Sequence, residues 1–553
     1  MLRLRLRMRY RRGISSLVLA AFLPGIITGQ AQTRENPTGP AVKTQPTRQQ
    51  VEGAYQKGLQ LLHEKHYQEA LEEFQHLAKM APQLPHGPAG EGIALALLGR
   101  PGQAIDELKK ALAIDPSFWV ARRELGILCW HQNLKEQAVQ ELVPLAQMFP
   151  EDVAVNLILG QYYFEQKQYA QALLFFSKTP GQVARQPQLT LMQATAFLKT
   201  GEQQRAVRLL EQLTLRPDLS NELRFQLAWL LGEAENYKAA VKVFESLPPD
   251  YPDAFDRAYG LALAYFEDGE YARSVETLKP LVAQGDIAPE GYSLLGVAEE
   301  KSGHTKEAYD SFRQGILTHP DDIQNYLNIA TLACQHLNYD LAVQILTSGI
   351  ERLPHSHELV LSRGIAYTLK VNFPAAEKDL AQSIHMAPDD PQGYFSLGLC
   401  LLEKGDLKGS VRAFEEEIAR KPKDPLPYYF ITEALIQKGA APGTPAFSQA
   451  LQSIQTALSI YPDFAHAYRD RAKLELRAGN TEKALGDLER AHTLAPKANS
   501  ISYLLAQTYQ RIGEHVKARK LFAEVNEKSE KDAKDFRQDS LTKALVVISN
   551  SPQ

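Results

Sequence analysis

Residues 303–320 read GHTKEAYDSFRQGILTHP, a stretch that decides the fold. Within it the small residue Ala308 is followed four positions later by Phe312, a spacing that places both on one face of a helix. Gly303 precedes the helical pattern as a turn residue, and Pro320 ends it because proline has no amide hydrogen to donate. The stretch therefore predicts a short helix, packed on a neighbour and bounded by a turn at each end.

The pattern repeats along the chain with a period of 34 residues, which indicates a repeat protein rather than several separate domains. A small residue recurs in register, with a slip of six residues before its last three occurrences: Ala70, Ala104, Ala138, Ala172, Ala206, Ala240, Ser274, Ala308, Ala342, Ala376, Ser410, Ala450, Ala484 and Ala518. A second series of small residues, interrupted by Thr432, precedes it by twelve positions: Gly58, Gly92, Gly126, Gly160, Ala194, Ala228, Ala262, Gly296, Ala330, Gly364, Gly398, Ala472 and Ala506. Prolines close many of the units in register: Pro82, Pro116, Pro150, Pro320, Pro354, Pro388, Pro422, Pro462 and Pro496.

Each unit predicts two antiparallel helices joined by a tight turn. The apolar residues have helical spacing, and a glycine such as Gly99 or Gly201 interrupts them midway. The two small residues allow the helices to approach closely, and the large apolar residue four positions after the second one fills the space that they leave.

This arrangement resembles the tetratricopeptide repeat family, which has small, aromatic and proline residues at the same offsets. The stretches 102–116 (GQAIDELKKALAIDP) and 303–320 match its pattern closely. The resemblance covers residues 51–528 as about fourteen units. It implies an all-α solenoid of helix–turn–helix units that forms a superhelix and is stabilised by contacts between neighbouring repeats.

Two segments depart from the repeat. Residues 439–449 (GAAPGTPAFSQ) predict a lengthened turn that forms a small surface loop. Within residues 529–553, the near-helical spacing of Phe536, Leu541, Leu545 and Ile548 predicts a C-terminal helix that caps the last repeat. The alternative for this helix is an amphipathic docking segment.

The first 31 residues predict a secretory signal peptide. Six arginines and no acidic residue precede an apolar run over residues 14–27, and small residues at Gly29 and Ala31 suit cleavage after Ala31. An uncleaved N-terminal membrane anchor is the alternative. Residues 32–50 are polar with three prolines and predict a flexible linker. We therefore expect an exported protein in the periplasm or associated with the cell envelope.

Composition and charge exclude several classes of protein. With 44% apolar and 23% charged residues among 553, the chain is neither disordered nor a multi-span membrane protein. Removing the six arginines of residues 1–31 from 61 basic residues leaves 55 against 65 acidic ones, a net charge of −10. This balance opposes nucleic-acid binding, which depends on Lys and Arg. Three scattered cysteines are too few for a disulfide framework.

Motifs for chemistry are missing from the sequence. It contains no GxxxxGK[ST], GxSxG or HExxH motif, and the His63–His66 pair has no third ligand nearby in sequence. About 25 residues remain beyond the signal, linker and repeats, which is too few for a catalytic domain. We expect no enzyme activity, no catalytic residue, no metal, no cofactor and no small-molecule substrate. A hydrolase or transferase would need a His, Asp and Glu cluster on one repeat face.

The family resemblance implies a concave groove lined by the first helix of each unit, at unit positions 2, 5, 9, 12 and 13. Aromatic side chains suit protein recognition because they bury a large area at low entropic cost. The predicted partner-binding residues combine such aromatics with a basic group near the C-terminal end: Trp130, Phe225, Trp229, Tyr259, Phe266, Phe395, Tyr429, Tyr503, Arg469, Lys473, Arg477 and Arg511.

The same positions predict an acidic middle of the groove. Between the fourth and twelfth units they hold two bases, Lys199 and Lys301, and ten acids: Glu165, Glu222, Glu233, Asp256, Glu267, Glu290, Glu300, Glu358, Glu403 and Glu433. An acidic middle would steer a basic segment, whereas the basic end could hold a carboxylate or another anion. A simple solvated face is the alternative for these charges. The carboxylate clamp known in the family needs Asn at position 9, which this chain never has.

The sequence thus predicts a non-enzymatic, exported scaffold that binds protein or peptide segments in its concave groove. The alternative is an accessory subunit of an envelope polysaccharide synthesis or secretion complex. Neither interpretation names the partner.

Overall fold

The computed structural model describes residues 46–285, 287–525 and 529–549, so the predicted signal peptide and most of the linker lie outside the described residues. Every regular element in the described part is an α-helix, and there are thirty of them. The all-α solenoid of paired helices is therefore confirmed. The chain divides after Asp268 into two compact units, an N-terminal one and a C-terminal one.

In the N-terminal unit, a first helix and a second helix alternate along the chain. The first helices, or A-helices, are α1 Arg48–His63, α3 His86–Leu97, α5 Trp119–His131, α7 Val153–Glu165, α10 Pro187–Lys199, α12 Asn221–Glu233 and α14 Ala254–Glu267. The second helices, or B-helices, are α2 Tyr67–Met80, α4 Pro101–Ile114, α6 Lys135–Met148, α8 Tyr169–Phe176, α11 Gln203–Thr214 and α13 Tyr237–Glu245, with a short extra helix, α9 Pro180–Arg185.

The C-terminal unit begins with a B-helix and continues the same alternation. Its A-helices are α16 Pro289–Lys301, α18 Ile323–Gln335, α20 His357–Leu369, α22 Pro391–Lys404, α24 Pro425–Gln437, α26 Ala465–Arg477 and α28 Asn499–Arg511. Its B-helices are α15 Tyr271–Gln284, α17 Thr305–Thr318, α19 Tyr339–Arg352, α21 Phe373–Met386, α23 Leu407–Arg420, α25 Pro445–Ile460, α27 Thr481–Leu494 and α29 His515–Glu524. A final helix, α30 Ser529–Ser549, follows the last repeat.

The turn between an A-helix and its B-helix uses one left-handed residue at a constant position. Eight of these positions hold glycine with positive φ: Gly99, Gly201, Gly269, Gly303, Gly405, Gly439, Gly479 and Gly513. Six hold other residues in the same conformation: Lys65, Asn133, Lys167, Glu235, Leu337 and Val371. The glycines alone identify this turn in the sequence. Asn133 tolerates this conformation, but the other five show that the repeat imposes it even where the residue opposes it.

The predicted pairing of small and large residues is the core of each repeat. Ala308 is completely buried, and Phe312 behind it is 2% exposed. A Cβ on Gly160 would lie 2.6 Å from the Phe176 ring, well inside van der Waals contact. Close approach of the helices therefore requires the small residue.

Helix ends follow the prolines of the repeat. Each of the nine register prolines stands two residues beyond the end of a B-helix, as Pro320 does after Thr318. The fourth unit lacks this proline. Its B-helix α8 ends early at Phe176, and Pro180 begins the extra helix α9.

The insertion of the twelfth unit is shorter than the predicted loop over 439–449. Helix α24 ends at Gln437 and α25 already begins at Pro445, so residues 445–449 are helical. Pro445 suits the first helical position, where its missing amide costs nothing, and the Thr444 side chain accepts a hydrogen bond from the Phe447 amide. Part of the insertion therefore lengthens α25 to 16 residues.

Helix α30 does not lie where a cap on the last B-helix would lie. It packs on the A-helices α18, α20, α22 and α28 of the C-terminal unit. Helix α30 therefore covers A-helix surface from several repeats, the last one included.

Candidate functional site

The most developed site of the described chain is the surface where α30 meets the A-helices of the C-terminal unit. We call this surface, formed by α18, α20, α22, α24, α26 and α28, the C-terminal A-face. It combines an aromatic pocket, two carboxylates and an aliphatic strip.

Phe536 of α30 occupies the aromatic pocket. Its ring stacks on the His466 ring of α26 at 4.6 Å and meets the Tyr429 ring of α24 edge-on at 5.6 Å. Phe430 and Phe464 complete the pocket at 6.0 and 6.2 Å. Aromatic rings prefer such tilted and edge-to-face contacts, so the pocket is built to accept a planar apolar side chain.

Arg537, the next residue of α30, lies against two carboxylates. Its Nε is 2.6 Å from Glu403 Oε1 of α22, and its Nη1 donates a hydrogen bond of 3.2 Å to Glu433 Oε1 of α24. All three side chains are largely shielded from solvent. Burial raises the pKa of Glu433 to about 7, and the Arg537 charge opposes that rise.

The aliphatic part of the contact comes from Leu541 and Leu545, each 1% exposed. Asp539 and Lys543 of the same helix form an ion pair that is exposed to solvent. Helix α30 is thus amphipathic, and its apolar side faces the repeats.

Two predicted groove residues, Tyr429 and Phe395, belong to this pocket: the first lines it and the second supports it from beneath. Tyr429 is 1% exposed, and its hydroxyl accepts a hydrogen bond of 3.0 Å from Arg469 Nη2. Phe395 is half-buried between the Phe414 and Phe430 rings, each 5.9 Å away. Tyr503 of α28 stays 39% exposed and remains available to a partner.

The predicted basic end of the groove is not an open anion site. Arg469 is 1% exposed and forms two hydrogen bonds with Asp470, which is equally buried, while Lys473 Nζ lies 2.8 Å from the same carboxylate. Burial alone would raise the pKa of Asp470, but Arg469 and Lys473 hold it well below its usual range.

Arg477 donates to the Ile436 and Ala440 carbonyls, and Arg511 is exposed. The expectation of a carboxylate-binding end is thus corrected for Arg469 and Lys473. Their charges already face Asp470 inside the protein.

In the N-terminal unit, the predicted aromatics form a second cluster. Phe225 meets both Trp229 and Tyr251 edge-on, and Trp229 lies 6.4 Å from Tyr259. Tyr259 is 1% exposed and therefore packs in the interior, whereas Phe225, Trp229, Trp130 and Phe266 are half-buried.

Among the predicted groove acids, several already have basic partners. Lys135 pairs with Glu165, Lys199 with Glu233, and His336 lies 2.9 Å from Glu300. Glu403 and Glu433 are the two that face Arg537. The acidic excess of the groove is therefore partly neutralised within the chain. Glu403 and Glu433 are the acids that bind a basic side chain of another segment, Arg537 of α30.

Arg537, His466 and Phe464 were not predicted from the sequence. Arg537 directly follows Phe536, a residue singled out for its helical spacing, so the adjacent positive charge was a usable signal. Phe464 lies just before α26, outside the groove positions carried over from the family. His466 is at position 2 of the thirteenth unit, which is a groove position, but it was counted neither among the aromatic nor among the charged residues, and its placement beside α30 reveals it.

A cavity of about 430 Å³ lies beside the extra helix α9 of the N-terminal unit. Phe197 and Leu209 line it together with Arg205, Arg208 and Arg216. Arg205 pairs with Glu202 and Arg216 with Asp218, so much of its positive charge is neutralised.

Within the described residues, no three His, Cys, Asp or Glu side chains come together as a metal site. None of the helices that the structure describes is long and apolar enough to span a membrane.

Comparison with known proteins shows the same repeat. The family model for the tetratricopeptide repeat matches residues 135–187, 191–255, 370–425, 447–499 and 469–533. The TPR repeat-containing protein YpiA of Bacillus subtilis (strain 168) is 21% identical over 251 residues, which make up 44% of this chain. The match spans 59% of the length of that relative.

Two solved structures are similar in chain course. The Cut9–Hcn1 hetero-tetramer of the APC/C is 14% identical, with 83% of this chain and 96% of that chain covered and a TM-score of 0.36. Yeast Tom70 is 14% identical, with 88% and 99% covered and a TM-score of 0.39. With the helix pairs at a period of 34 residues and the family match in both units, the chain belongs to the tetratricopeptide repeat family.

Proposed function

We propose that the protein is a non-enzymatic scaffold that binds protein segments on the A-helix surfaces of its repeats. One observation carries the proposal: α30, a helical segment, is seated on A-helices of the C-terminal unit. A surface that buries Leu541 and Leu545 and surrounds the half-buried Phe536 with aromatic rings can recognise an apolar protein segment. Repeats of this family typically serve as such scaffolds.

The N-terminal unit supports the same proposal through its half-buried aromatics. Trp130, Phe225 and Trp229 lie on A-helices, and large aromatic side chains contribute most to binding energy at protein interfaces. Lys135 lies 5.4 Å above the Trp130 ring, so this side chain is held in place.

Site-specific photo-crosslinking tests the proposal. A photo-reactive amino acid at Tyr503 or Trp130 reports on A-helices, and the same amino acid at the exposed B-helix positions Leu317 and Leu174 is the control. In the cells that produce the protein, we expect a crosslinked protein partner at the A-helix positions and none at the controls. Crosslinks confined to the B-helix positions would contradict the proposal.

We further propose export, because residues 1–31 combine a basic start with an apolar run and small residues before Gln32. N-terminal sequencing of the protein from an envelope fraction should find Gln32 first. An intact Met1 in a membrane pellet would instead favour the uncleaved anchor.

The export signal also favours the second candidate function, an accessory subunit of an envelope polysaccharide synthesis or secretion complex. Copurification with a membrane synthase or an outer-membrane channel would distinguish this role from that of a free adaptor.

A further inference from the structure

We propose that α30 is a displaceable occupant of the C-terminal A-face, and that the partner of this face is an amphipathic helix of the same chemistry. That chemistry is a Phe–Arg pair followed by leucines five and nine residues after the Phe, as in Phe536, Arg537, Leu541 and Leu545. The inference rests on the proposed function, because it names the kind of segment that this face binds.

The spacing of these four residues defines one recognition surface. An α-helix turns about 100° per residue, so Phe536, Arg537, Leu541 and Leu545 fall within one half of its circumference. Each has its own receptor on the repeats: the aromatic pocket for Phe536, the two carboxylates for Arg537 and buried apolar surface for the leucines. A partner helix needs this order of side chains to use all three receptors at once.

The carboxylates select for a basic residue at the second position. Glu403 and Glu433 lie on different A-helices, and both approach the one guanidinium of Arg537. An apolar residue in its place would leave two partly buried acids uncompensated, and an acidic residue would repel them.

The repeats beneath α30 also pack on one another, although Leu541, Ala544 and Leu545 belong to the same apolar cluster as their helices. Phe414 is fully buried against Gly398 of its own repeat, and the B-helix α23 packs on both α22 and α24. Helix α30 is attached to this array by four residues after Glu524. It therefore covers helices that already pack on one another.

The polar part of the contact is incompletely satisfied, which favours displacement. Arg537 Nε and Glu403 Oε1 form an ion pair at 2.6 Å, but Glu433 Oε2, which is buried beside them, has no hydrogen-bond partner among the described residues. Buried polar atoms left unpaired reduce the net stability of a contact. A partner helix with better geometry can therefore compete with α30.

Tethering explains how a modest contact keeps the face occupied. A short linker gives a binding segment an effective concentration on the order of millimolar. A free peptide must compete with α30 at that local concentration. Its apparent affinity equals its affinity for the open face multiplied by the fraction of protein in which the face is open. Weakening α30 should thus strengthen binding of the same helix supplied in trans.

A synthetic fluorescent peptide of residues 529–549 is the probe, and the full chain is the receptor. Fluorescence anisotropy should show at least ~10-fold tighter binding to the F536A/R537E variant than to wild type. The K543E variant, which makes the same charge change on the exposed side of α30, should bind like wild type. A peptide carrying the F536A and R537E changes should bind neither.

Failure of the peptide to bind the folded F536A/R537E variant, with an unchanged circular dichroism spectrum, would overturn the proposal. Equal binding to that variant and to wild type would also overturn it.

Hydrogen exchange of the unmodified protein gives a second test that needs no variant. We expect the amides of α30 to exchange at least ~10-fold faster than those of α22 and α24, because α30 opens while the repeats stay folded. Equal protection of all three helices would overturn the proposal.

Light scattering tests whether α30 binds its own chain, and it should find one chain per particle. If the protein were instead a dimer that the F536A/R537E changes dissociate, α30 would occupy the face of a second copy, and the proposal would be overturned.

These outcomes are distinct from those of the crosslinking test. If α30 proves to be a fixed part of the fold, partner crosslinks at Trp130 in the N-terminal unit would still support the scaffold function.

Discussion

A Cβ atom on Gly398 would lie 2.5 Å from Cε1 of Phe414, so the Phe414 ring fills the space that this glycine leaves open. The two residues belong to α22 and α23 of one repeat. The same relationship recurs between Gly58 and Phe74 in another repeat. It explains why the small residue and the large one keep a fixed separation along the sequence.

The first prediction concerns this close approach. Gly398→Ala should destabilise the protein by about 1–3 kcal/mol, because the ring of a fully buried phenylalanine has no room to move away. Gly486→Ala is the matched control, since nothing lies within 4 Å of its Cβ position in α27. Helix propensity alone should make the control neutral or stabilising by up to about 1 kcal/mol. Urea unfolding of both variants checks the difference, and equal midpoints would refute the close approach.

The repeat and its close packing could be predicted from the sequence because they are local. The small residues, the apolar residues four positions later and the closing prolines each act within one hairpin or between neighbours. One period of 34 residues therefore contains nearly all the information needed to place Ala308 against Phe312.

The position of α30 could not be predicted in the same way. The spacing of Phe536, Leu541 and Leu545 shows that one side of the helix is apolar, but it does not say which surface covers that side. Its pocket joins residues 70 or more positions away, including His466 and Phe464. No periodic signal connects such distant residues.

Burial also limited the prediction of the groove. Carrying positions over from the family placed Arg469 and Tyr429 on A-helices correctly, but it could not show that neighbouring side chains enclose them. Asp470 stands next to Arg469 in sequence, and only the structure shows that the pair is buried together.

The second prediction concerns the left-handed turn at Val371. Its φ is 65°, a conformation that costs a β-branched residue about 1–2 kcal/mol, and its side chain is 66% exposed. Val371→Gly should therefore raise the free energy of unfolding by about 1 kcal/mol after the added chain entropy of glycine.

The reverse change at the equivalent turn position, Gly405→Val, provides the control. Gly405 has a φ of 87°, so this variant should lose stability by a similar amount or more. Thermal unfolding of the two variants compares them directly. A loss of stability in Val371→Gly would contradict the interpretation that the turn is strained.

The third prediction concerns the buried pair of Arg469 and Asp470. Arg469→Met should destabilise the protein by about 3 kcal/mol, because Asp470 would be left in the interior with Lys473 as its remaining cation. Arg490→Met is the control, since its ion pair with Asp463 is exposed and should contribute less than about 1 kcal/mol. An unchanged melting temperature for Arg469→Met would mean that the buried ion pair adds no net stability to the fold.

The fourth prediction is a pH dependence from Glu417, whose side chain is 2% exposed. Burial raises the pKa of this carboxyl to about 8, with Asp424 adding to the rise and Lys421 opposing it. The unfolded chain loses this proton near pH 4.5, whereas the folded protein keeps it until about pH 8. The stability that the neutral carboxyl contributes is therefore complete below pH 4.5 and declines as the pH rises to 8.

Glu417→Gln removes this titration, since its amide stays neutral at every pH. At pH 9 we expect the variant to be more stable than wild type by at least about 1 kcal/mol, because each pKa unit corresponds to about 1.4 kcal/mol. At pH 4.5 the two should differ little. The neighbouring Glu416→Gln, with an exposed side chain, should show no such divergence. If the stability difference between Glu417→Gln and wild type stayed the same from pH 4.5 to 9, the interpretation that Glu417 is buried as a neutral carboxyl would be wrong.

The fifth prediction tests whether charge holds α30 in place. Arg537→Glu puts a third acid beside Glu403 and Glu433, so hydrogen exchange in α30 should accelerate at least ~10-fold. Adding Glu403→Arg supplies a cation to the new acid. The double variant should regain more than half of the protection against exchange that Arg537→Glu removes, measured as the logarithm of the exchange rate. Because Glu403→Arg alone would set two cations together, it should also accelerate exchange. Recovery in the double variant can therefore come only from the pairing of the two positions, which is the logic of a double-mutant cycle. If the double variant exchanged as fast as Arg537→Glu, the pair would contribute nothing, and apolar burial of Phe536 and the leucines would hold α30 without help from charge.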